Sequence, residues 1–386
     1  MSILTSTYRT FIKPLRARYT RAQAMRYFLA KTQDYKSLHN PLKPLPQEAK
    51  EACLDFWSRY LPASRFSHTL DWHTIIYNTN RFCPTHHAYL DNAFYYMQIL
   101  PALNAKGYVE ALADKNYADL LFTPFNRPKS IAKCINGAYF VQEYSSLETP
   151  KTARIDSASP RSLRAISKRE LISLVRDSGE CVIKPTKSNE TGSGKGVALI
   201  ESSAKESELE ALLTSYKSDF IVQEKISQSK WLSALNPTSI NTFRIVSLLW
   251  EGRVEILSAT LLVGEEGLTS NGGHFRIGID LAQGCLRDFI IRGKGEHIDS
   301  LPNATKESRN LPIPNLQKLL DMAKDMHSLL PHFKLIGWDF TLDSSDEPMF
   351  IELNPDVPGC EIMEQLNEPM FKNHEEIITL ASTYRP

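Results

Sequence analysis

The sequence predicts an α+β fold in which two mixed lobes, residues 111–225 and 226–386, follow a mostly helical N-terminal region, residues 1–110. Three observations carry this prediction. Between residues 167 and 226 short apolar runs of strand length alternate with capped helical segments. Two strand-like runs flank a polar turn near the C-terminus. The first hundred residues hold helical patterns broken by prolines.

The N-terminal region opens on a strongly basic segment. Residues 1–31 contain Arg9, Lys13, Arg16, Arg18, Arg21, Arg26 and Lys31, with no Asp or Glu, interleaved with Tyr8, Phe11, Ile12, Leu15, Tyr19, Met25, Tyr27 and Phe28. Such a helix either packs on its own protein or rests on an anionic membrane surface or a lipid-linked diphosphate sugar. Residues 38–46, LHNPLKPLP, read as a linker, and Glu48–Tyr60 as a helix. The stretch from Asp71 to Tyr108 is rich in aromatic and polar rings, among them Trp72, His73, His86, His87, Tyr89, Tyr95 and Tyr96. It reads either as an acceptor cleft for a sugar or as a half-buried helix surface.

The middle of the chain supplies clearer boundaries. Ser167 followed by Glu170 is a capping box ahead of Leu171, Leu174 and Val175, with Gly179 as the stop; Ser203 with Glu206 repeats the pattern before Leu209, Leu212 and Leu213. Between these helices lies KPTKSNETGSGKGV, residues 184–197. The apolar run Cys181-Val182-Ile183 places Lys184 at a strand end, and Val197-Ala198-Leu199-Ile200 reads as a second strand. A glycine-rich turn joining two strands is neither a P-loop, which opens a helix with G-K-[ST], nor the dinucleotide fingerprint, since Gly192, Gly194 and Gly196 are spaced by twos. Without Cβ atoms to hold the backbone away, its N–H groups can close over phosphate oxygens. Taken alone, the same residues would also suit a solvated β-turn.

Near the C-terminus, Leu335–Leu342 and Pro348–Leu353 read as strands around the turn Asp343-Ser344-Ser345-Asp346-Glu347. In one antiparallel register Trp338 faces Leu353, Phe340 faces Ile351 and Leu342 faces Met349, giving an apolar face. The other face then sets Asp339 opposite Glu352 and Asn354 opposite Gly337. Two carboxylates about 5 Å apart repel by roughly 3 kcal/mol at an effective dielectric of 20. Oxygen donors with no Cys or His nearby suit a hard cation such as Mg²⁺, which also takes ligands from phosphates. The competing reading is a solvated hairpin face. A helix over 315–330, apolar at Leu316, Leu319, Leu320, Ala323 and Met326, is expected beside this hairpin.

Composition narrows the function classes. The chain has 386 residues, 42% of them hydrophobic, and a formal net charge of +1. Near-neutral charge argues against nucleic acid as a partner. No run of about 18 apolar residues or secretory h-region is present. The six cysteines, Cys53, Cys83, Cys134, Cys181, Cys285 and Cys360, form no C-x-x-C pair, which favours a reducing, cytoplasmic setting. No nucleophile with an adjacent base is evident.

Several segments in fixed order now resemble a known family. The lysine-ended strand with its GSGKG turn, the strand FIVQEKI at residues 220–226, Arg244 in Asn241-Thr242-Phe243-Arg244 and the terminal Asp339, Glu352 and Asn354 resemble the ATP-grasp superfamily. Residues 239–246, SINTFRIV, and Asn271-Gly272-Gly273 resemble its sugar-transfer-associated branch, found with surface-polysaccharide genes. The resemblance covers roughly residues 110 to 360.

The resemblance implies an ATP-grasp fold in which ATP lies between two lobes, and it implies roles residue by residue. Lys184 and Lys115 would contact the α- and β-phosphates, and Gly192, Ser193, Gly194, Lys195 and Gly196 would cover the β- and γ-phosphates. Gln223, Glu224, Lys225 and Ile226 would form the adenine segment, with Gln223 at the amino group and the backbones of Glu224 and Ile226 at the base edge. Arg244 would stabilise the transferred phosphoryl group, Arg276 would hold a carboxylate or acyl phosphate, and Asp339, Glu352 and Asn354 would hold two Mg²⁺ ions. Apart from the resemblance, Arg244 in its apolar strand also reads as half of a structural salt bridge, Arg276 as a surface arginine and Lys115 as an exposed lysine near a helix start. Asn241 stands where an acid is common, and no ribose-binding carboxylate follows Ile226. The implied activity is ATP-dependent carboxylate–amine ligation through an acyl phosphate, joining an amino acid or amine to a sugar acid for capsule or O-antigen. A sugar kinase and a non-catalytic nucleotide- or glycan-binding partner of a glycosyltransferase are the alternatives.

Overall fold

The computed structural model describes residues 13–38, 41–112, 114–144, 160–186, 196–265 and 275–384. They fall into two compact units. One comprises the described residues up to Leu103 with Lys294–His297 and those from Gly359 onward; the other holds Asn104–Gly293 and Ile298–Pro358.

The first unit is helical. Its long basic helix, Lys13–Leu38, buries Thr32 and Tyr35, and Tyr35 meets Trp72 edge to face at 5.7 Å. Gln47–Ser58 buries Ala49, Cys53, Phe56 and Trp57, and Phe66–Thr79 buries Trp72, His73, Ile75 and Ile76. Asp91 starts the next helical segment, accepting a bond of 2.8 Å from the Phe94 amide and an ion pair of 3.0 Å from Arg65. Trp72, His73, Tyr89 and Tyr95 are buried here and build a core, while His86, His87 and Tyr96 are half-buried. Among the described residues no helix is long and apolar enough to cross a membrane.

The second unit contains two antiparallel sheets, apart from Glu296 and His297 at the edge of the second, which belong to the first unit. The first has six strands in the order β3-β2-β1-β6-β4-β5, where β1 is Ser130–Ile135, β2 Ala138–Tyr144, β3 Pro160–Ile166, β4 Cys181–Pro185, β5 Ala198–Ile200 and β6 Phe220–Glu224. Alternation along the strands gives it an apolar face. Ala132, Cys134, Cys181, Ile183, Phe220 and Val222 pack there against Leu171 and Val175 of helix Lys168–Asp177 and Leu209 and Leu213 of helix Glu206–Ser215. Ser167 caps the first of these helices as expected, accepting from the Glu170 amide at 3.1 Å, and Gly179 ends it at φ +72°. The second helix starts two residues later than Ser203 implied. Glu208, whose carboxylate accepts from the Lys205 amide at 3.0 Å, supplies the reciprocal cap, while the Ser203 hydroxyl turns to Glu201.

The second sheet has seven strands in the order β11-β10-β9-β8-β7-β12-β13, comprising β7 Thr242–Trp250, β8 Arg253–Val263, β9 Phe275–Asp280, β10 Cys285–Arg292, β11 Glu296–Ile298, β12 Leu335–Leu342 and β13 Pro348–Asn354. Its apolar face carries Phe243, Ile245, Leu261, Ile277, Trp338 and Phe340, covered by Leu319, Leu320, Ala323 and Met326 of helix Leu316–Ser328. The β12–β13 hairpin has the expected register at Gly337–Asn354, Trp338–Leu353 and Asp339–Glu352. Beyond that a bulge intervenes: Phe340 faces Phe350 and Leu342 faces Pro348, so the expected pairing of Phe340 with Ile351 and of Leu342 with Met349 is not formed. The bulge turns Phe350 into an aromatic cluster, with ring centroids 5.1 Å from Phe122 and 6.0 Å from Phe340, and leaves the smaller Ile351 half-buried. The Phe350 amide donates outward to the Asn126 carbonyl at 2.8 Å.

Candidate nucleotide and metal site

The polar faces of the two sheets carry the site. On the seven-stranded sheet one row runs Gly278, Thr260, Arg244, Asp339, Glu352 across β9, β8, β7, β12 and β13. Residues in one row share a face, and residues two positions along join it. Asn354, opposite Gly337, therefore lies beside the acids, and Arg276, two residues before Gly278 on β9, occupies the same face.

Arg244 and Asp339 are both buried and paired through two parallel bonds, Nε to Oδ1 at 2.5 Å and Nη2 to Oδ2 at 3.0 Å. Nη1 of the same arginine donates to the carbonyls of Val357 and Pro358 at 3.3 and 3.5 Å. The 355–358 turn is held from below: Asn104 donates to the Pro355 carbonyl at 2.9 Å and brackets β12 through Leu335. Gly337 permits this close approach, because a Cβ there would stand 2.7 Å from the Pro358 Cα.

The carboxyls of the two facing acids are shifted in opposite directions. Burial pushes the Asp339 carboxyl up, against the pull of Arg244, and neighbouring Glu352 adds to the rise. Burial also opposes ionisation of Glu352, but Lys115, then Lys184 and Arg244, bring its carboxyl below the ordinary range. The pair shares a hydrogen bond, and Asn354 Nδ2 donates to Asp339 Oδ2 at 3.3 Å. Two opposed acids and an amide oxygen are donors of the kind a hard divalent cation takes, but here Arg244 and Asn354 occupy both Asp339 oxygens, and among the described residues no group of three or more His, Cys, Asp or Glu is placed to hold a metal ion.

The six-stranded sheet supplies the cations. Lys184 lies on the face opposite Cys181 and Ile183, in register with Ile221. Burial lowers its pKa to about 8, and Lys115 contributes to the fall while Glu352 and Asp119 work against it. Lys115 opens helix Lys115–Leu121, capped by Asp114 through the Asn116 amide at 2.9 Å. Its own amide donates to the Thr186 carbonyl at 3.1 Å, just past β4, and its ammonium stands 3.5 Å from Glu352. Lysines from the six-stranded sheet and its adjoining helix thus meet the acids of the seven-stranded one.

Gln223, opposite Val182, is on the Lys184 face and reaches the Pro128 carbonyl at 3.5 Å. The Glu224 amide donates to the Lys129 carbonyl and its carboxylate accepts from the Lys129 amide, each at 3.0 Å. Lys225 is exposed and paired with Glu180 at 2.9 Å; Ile226 is half-buried just beyond β6. Gln228 is fully engaged as a local staple, donating to the carbonyls of Asn236 and Ser239 and accepting from the Asn241 amide. Gly192, Ser193, Gly194 and Lys195 lie outside the described residues, as do Asn271, Gly272, Gly273 and His274. Gly196 is described at φ +79°, where a Cβ would come within 3.3 Å of Pro185, and its carbonyl accepts from the Tyr216 hydroxyl at 2.5 Å.

Sequence reasoning missed one group next to this site. Lys133 of β1 is wholly buried, with Asp119 at 2.5 Å and the Gln142 side chain at 3.2 Å, and Arg127 pairs with the same aspartate at 3.1 Å. A lysine in the run Ile131-Ala132-Lys133-Cys134-Ile135 was the available signal.

A model of the sugar-transfer associated ATP-grasp family matches residues 100–378. The chain belongs to that family. Among solved structures it is similar to L-amino acid ligase from Bacillus licheniformis, at 14% identity over 66% of this chain and 42% of that one, with a TM-score of 0.33. It is also similar to biotin carboxylase from Campylobacter jejuni, at 13% identity over 74% and 49%, TM-score 0.41. VanG D-Ala:D-Ser ligase from Enterococcus faecalis matches at 12% over 71% and 63%, TM-score 0.39. The chain spans less than two thirds of the length of each. A comparison with curated proteins gives no match.

Proposed function

We propose that this ATP-grasp protein is an ATP-dependent carboxylate–amine ligase acting on a sugar acid and an amine in surface-polysaccharide synthesis. The observation that carries the reading is the ion pair of Lys115 with Glu352 at 3.5 Å, with the Lys184 charge acting on the same glutamate and Asp339 opposite it in a bidentate pair with Arg244. Membership of a sugar-transfer associated family supports the sugar acid.

In the reaction, a carboxylate oxygen of the substrate attacks the γ-phosphorus of ATP and ADP leaves, giving an acyl phosphate. The amine then attacks the acyl carbon, phosphate departs, and the amine nitrogen loses a proton. The protein positions these groups and stabilises charge; it supplies no covalent intermediate. Lys184 and Lys115 bind the phosphate chain, with Gln223 to Ile226 at the base. Arg244, whose fork is held by Asp339 and whose Nη1 is held by two backbone carbonyls, contributes a fixed positive charge beside the phosphoryl group, and Arg276 takes the carboxylate. Asp339, Glu352 and Asn354 would hold Mg²⁺, which when bound neutralises phosphate charge.

An ATP-requiring enzyme of this kind works in the cytoplasm, and the basic sequence of residues 1–31 would bring it to anionic lipid or a lipid-linked sugar at the inner membrane face. Sedimentation with phosphatidylserine vesicles but not with neutral ones is the expected result; equal recovery with both contradicts the membrane contact. For the ligase itself, hydroxylamine trapping with Mg²⁺-ATP and a panel of uronic acids and amino acids is the test. Hydroxamate should form with a carboxylate. ADP formation tied to a phosphorylated hydroxyl, with no hydroxamate, would instead make the protein a kinase.

A further inference from the structure

We propose that Asp119 and Lys133 form a positioning pair that sets Lys115 and Lys184 at the spacing a nucleotide's phosphate chain requires. The inference rests on the nucleotide reading above and adds two residues to it.

Lys133 and Lys184 sit in one row of the six-stranded sheet, each opposite Ile221 of the strand between them, and therefore share a face. Asp119 is one helical turn beyond Lys115, so the two project from the same side of helix Lys115–Leu121. The contact of Asp119 with Lys133 at 2.5 Å fastens that helix to the row that carries Lys184. At its other end the helix is fastened to the same strand, through the Lys115 amide and the Thr186 carbonyl at 3.1 Å. Two attachments fix both the place of the helix start and its rotation, and rotation decides where the Lys115 ammonium points. The Asp119 charge also acts on Lys184 directly, supporting its protonated form.

Stability alone gives weak grounds for such a pair. A wholly buried ion pair loses hydration that its mutual attraction only about offsets, and apolar side chains of similar volume commonly replace one without loss. The surroundings are not economical either: among the described residues Arg127 Nη2, Gln142 Nε2 and both Asp119 carboxylate oxygens are buried without a hydrogen-bond partner, so that carboxylate is held by charge alone. A helix docked by apolar packing alone would tolerate small rotations, whereas a close contact of opposite charges at 2.5 Å, buried on both sides, is lost when the helix turns.

The apolar replacement separates the two roles. In the full chain carrying Asp119→Leu with Lys133→Met, the ligand-free melting temperature should stay within a few degrees of the parent, while the Kd for Mg²⁺-ATP by calorimetry rises about tenfold or more. Should that variant fail to fold, Asp119→Asn, which keeps shape and removes the charge, should show the same loss of affinity, and Lys133→Arg should retain most of it. A folded Leu/Met or Asn variant that binds Mg²⁺-ATP like the parent overturns the positioning role and leaves the ligase reading standing. A parent that does not bind Mg²⁺-ATP overturns both.

Discussion

The two sheets of the second unit are built alike but carry different side chains on their polar faces, lysines on one and opposed acids with arginines on the other. Each buries one face under a pair of helices or a single long one and leaves the other polar. On the six-stranded sheet that polar face carries Lys133 and Lys184 and receives Lys115 from the adjoining helix; on the seven-stranded sheet it carries Asp339 and Glu352, with Arg244 locked between acid and turn. Lys115 and Lys184 bring the Glu352 carboxyl down, and Glu352 in turn works against the fall of Lys184, which burial and Lys115 lower to about 8. The division suits a ligand that is itself divided, with phosphates for the lysines and a bound cation for the acids.

The largest expected effects break one side of that comparison. Lys184→Ala and Glu352→Ala should each lower turnover by about a hundredfold or more while circular dichroism stays unchanged. Full activity in either would remove that residue from the site. Arg244→Lys keeps the charge but loses the parallel pair with Asp339 and the hold on the 355–358 turn, so kcat should fall by about tenfold to a hundredfold with the Km for ATP little changed. A change confined to Km would make the arginine a binding group only.

Acidity sharpens the same contrast. A lysine binds phosphate when protonated, so affinity for ATP should be full below pH 8 and weaken as pH rises through about 8, the value to which Lys184 falls. In Lys184→Arg the decline should move beyond pH 10, and an unmoved profile would assign it elsewhere. The smallest effect concerns stability: Gly337→Ala places a Cβ within 2.7 Å of Pro358 backbone and should cost about 1–3 kcal/mol, read as a lower denaturation midpoint.

Much of this was legible in the residues because it follows from local rules. The facing of Asp339 and Glu352 came from two-residue alternation along short apolar runs, and the Ser167 cap from a side chain three residues ahead of a glutamate. The hairpin register failed beyond Asp339 because burial of Phe350 among Phe122, Trp338 and Phe340 is a tertiary choice that alternation cannot foresee. The ion pair of Lys133 with Asp119 joins a strand to a helix and leaves no spacing signature. The rings of Trp72, Tyr89 and Tyr95, read from composition as suited to sugars, turned out to be core. Arg244 was legible as an arginine in an apolar strand, but its partner, 95 residues away, was not.

The central claim, that lysines of one sheet and acids of the other hold a single metal–nucleotide, is met most directly by calorimetric titration of ATP with and without Mg²⁺ into the parent, Lys184→Met and Glu352→Gln. The account predicts that Mg²⁺ strengthens ATP binding to the parent, that Lys184→Met weakens binding in both conditions, and that Glu352→Gln loses the strengthening by Mg²⁺. A Glu352→Gln variant that keeps the whole Mg²⁺ effect, or a parent indifferent to Mg²⁺, would contradict it.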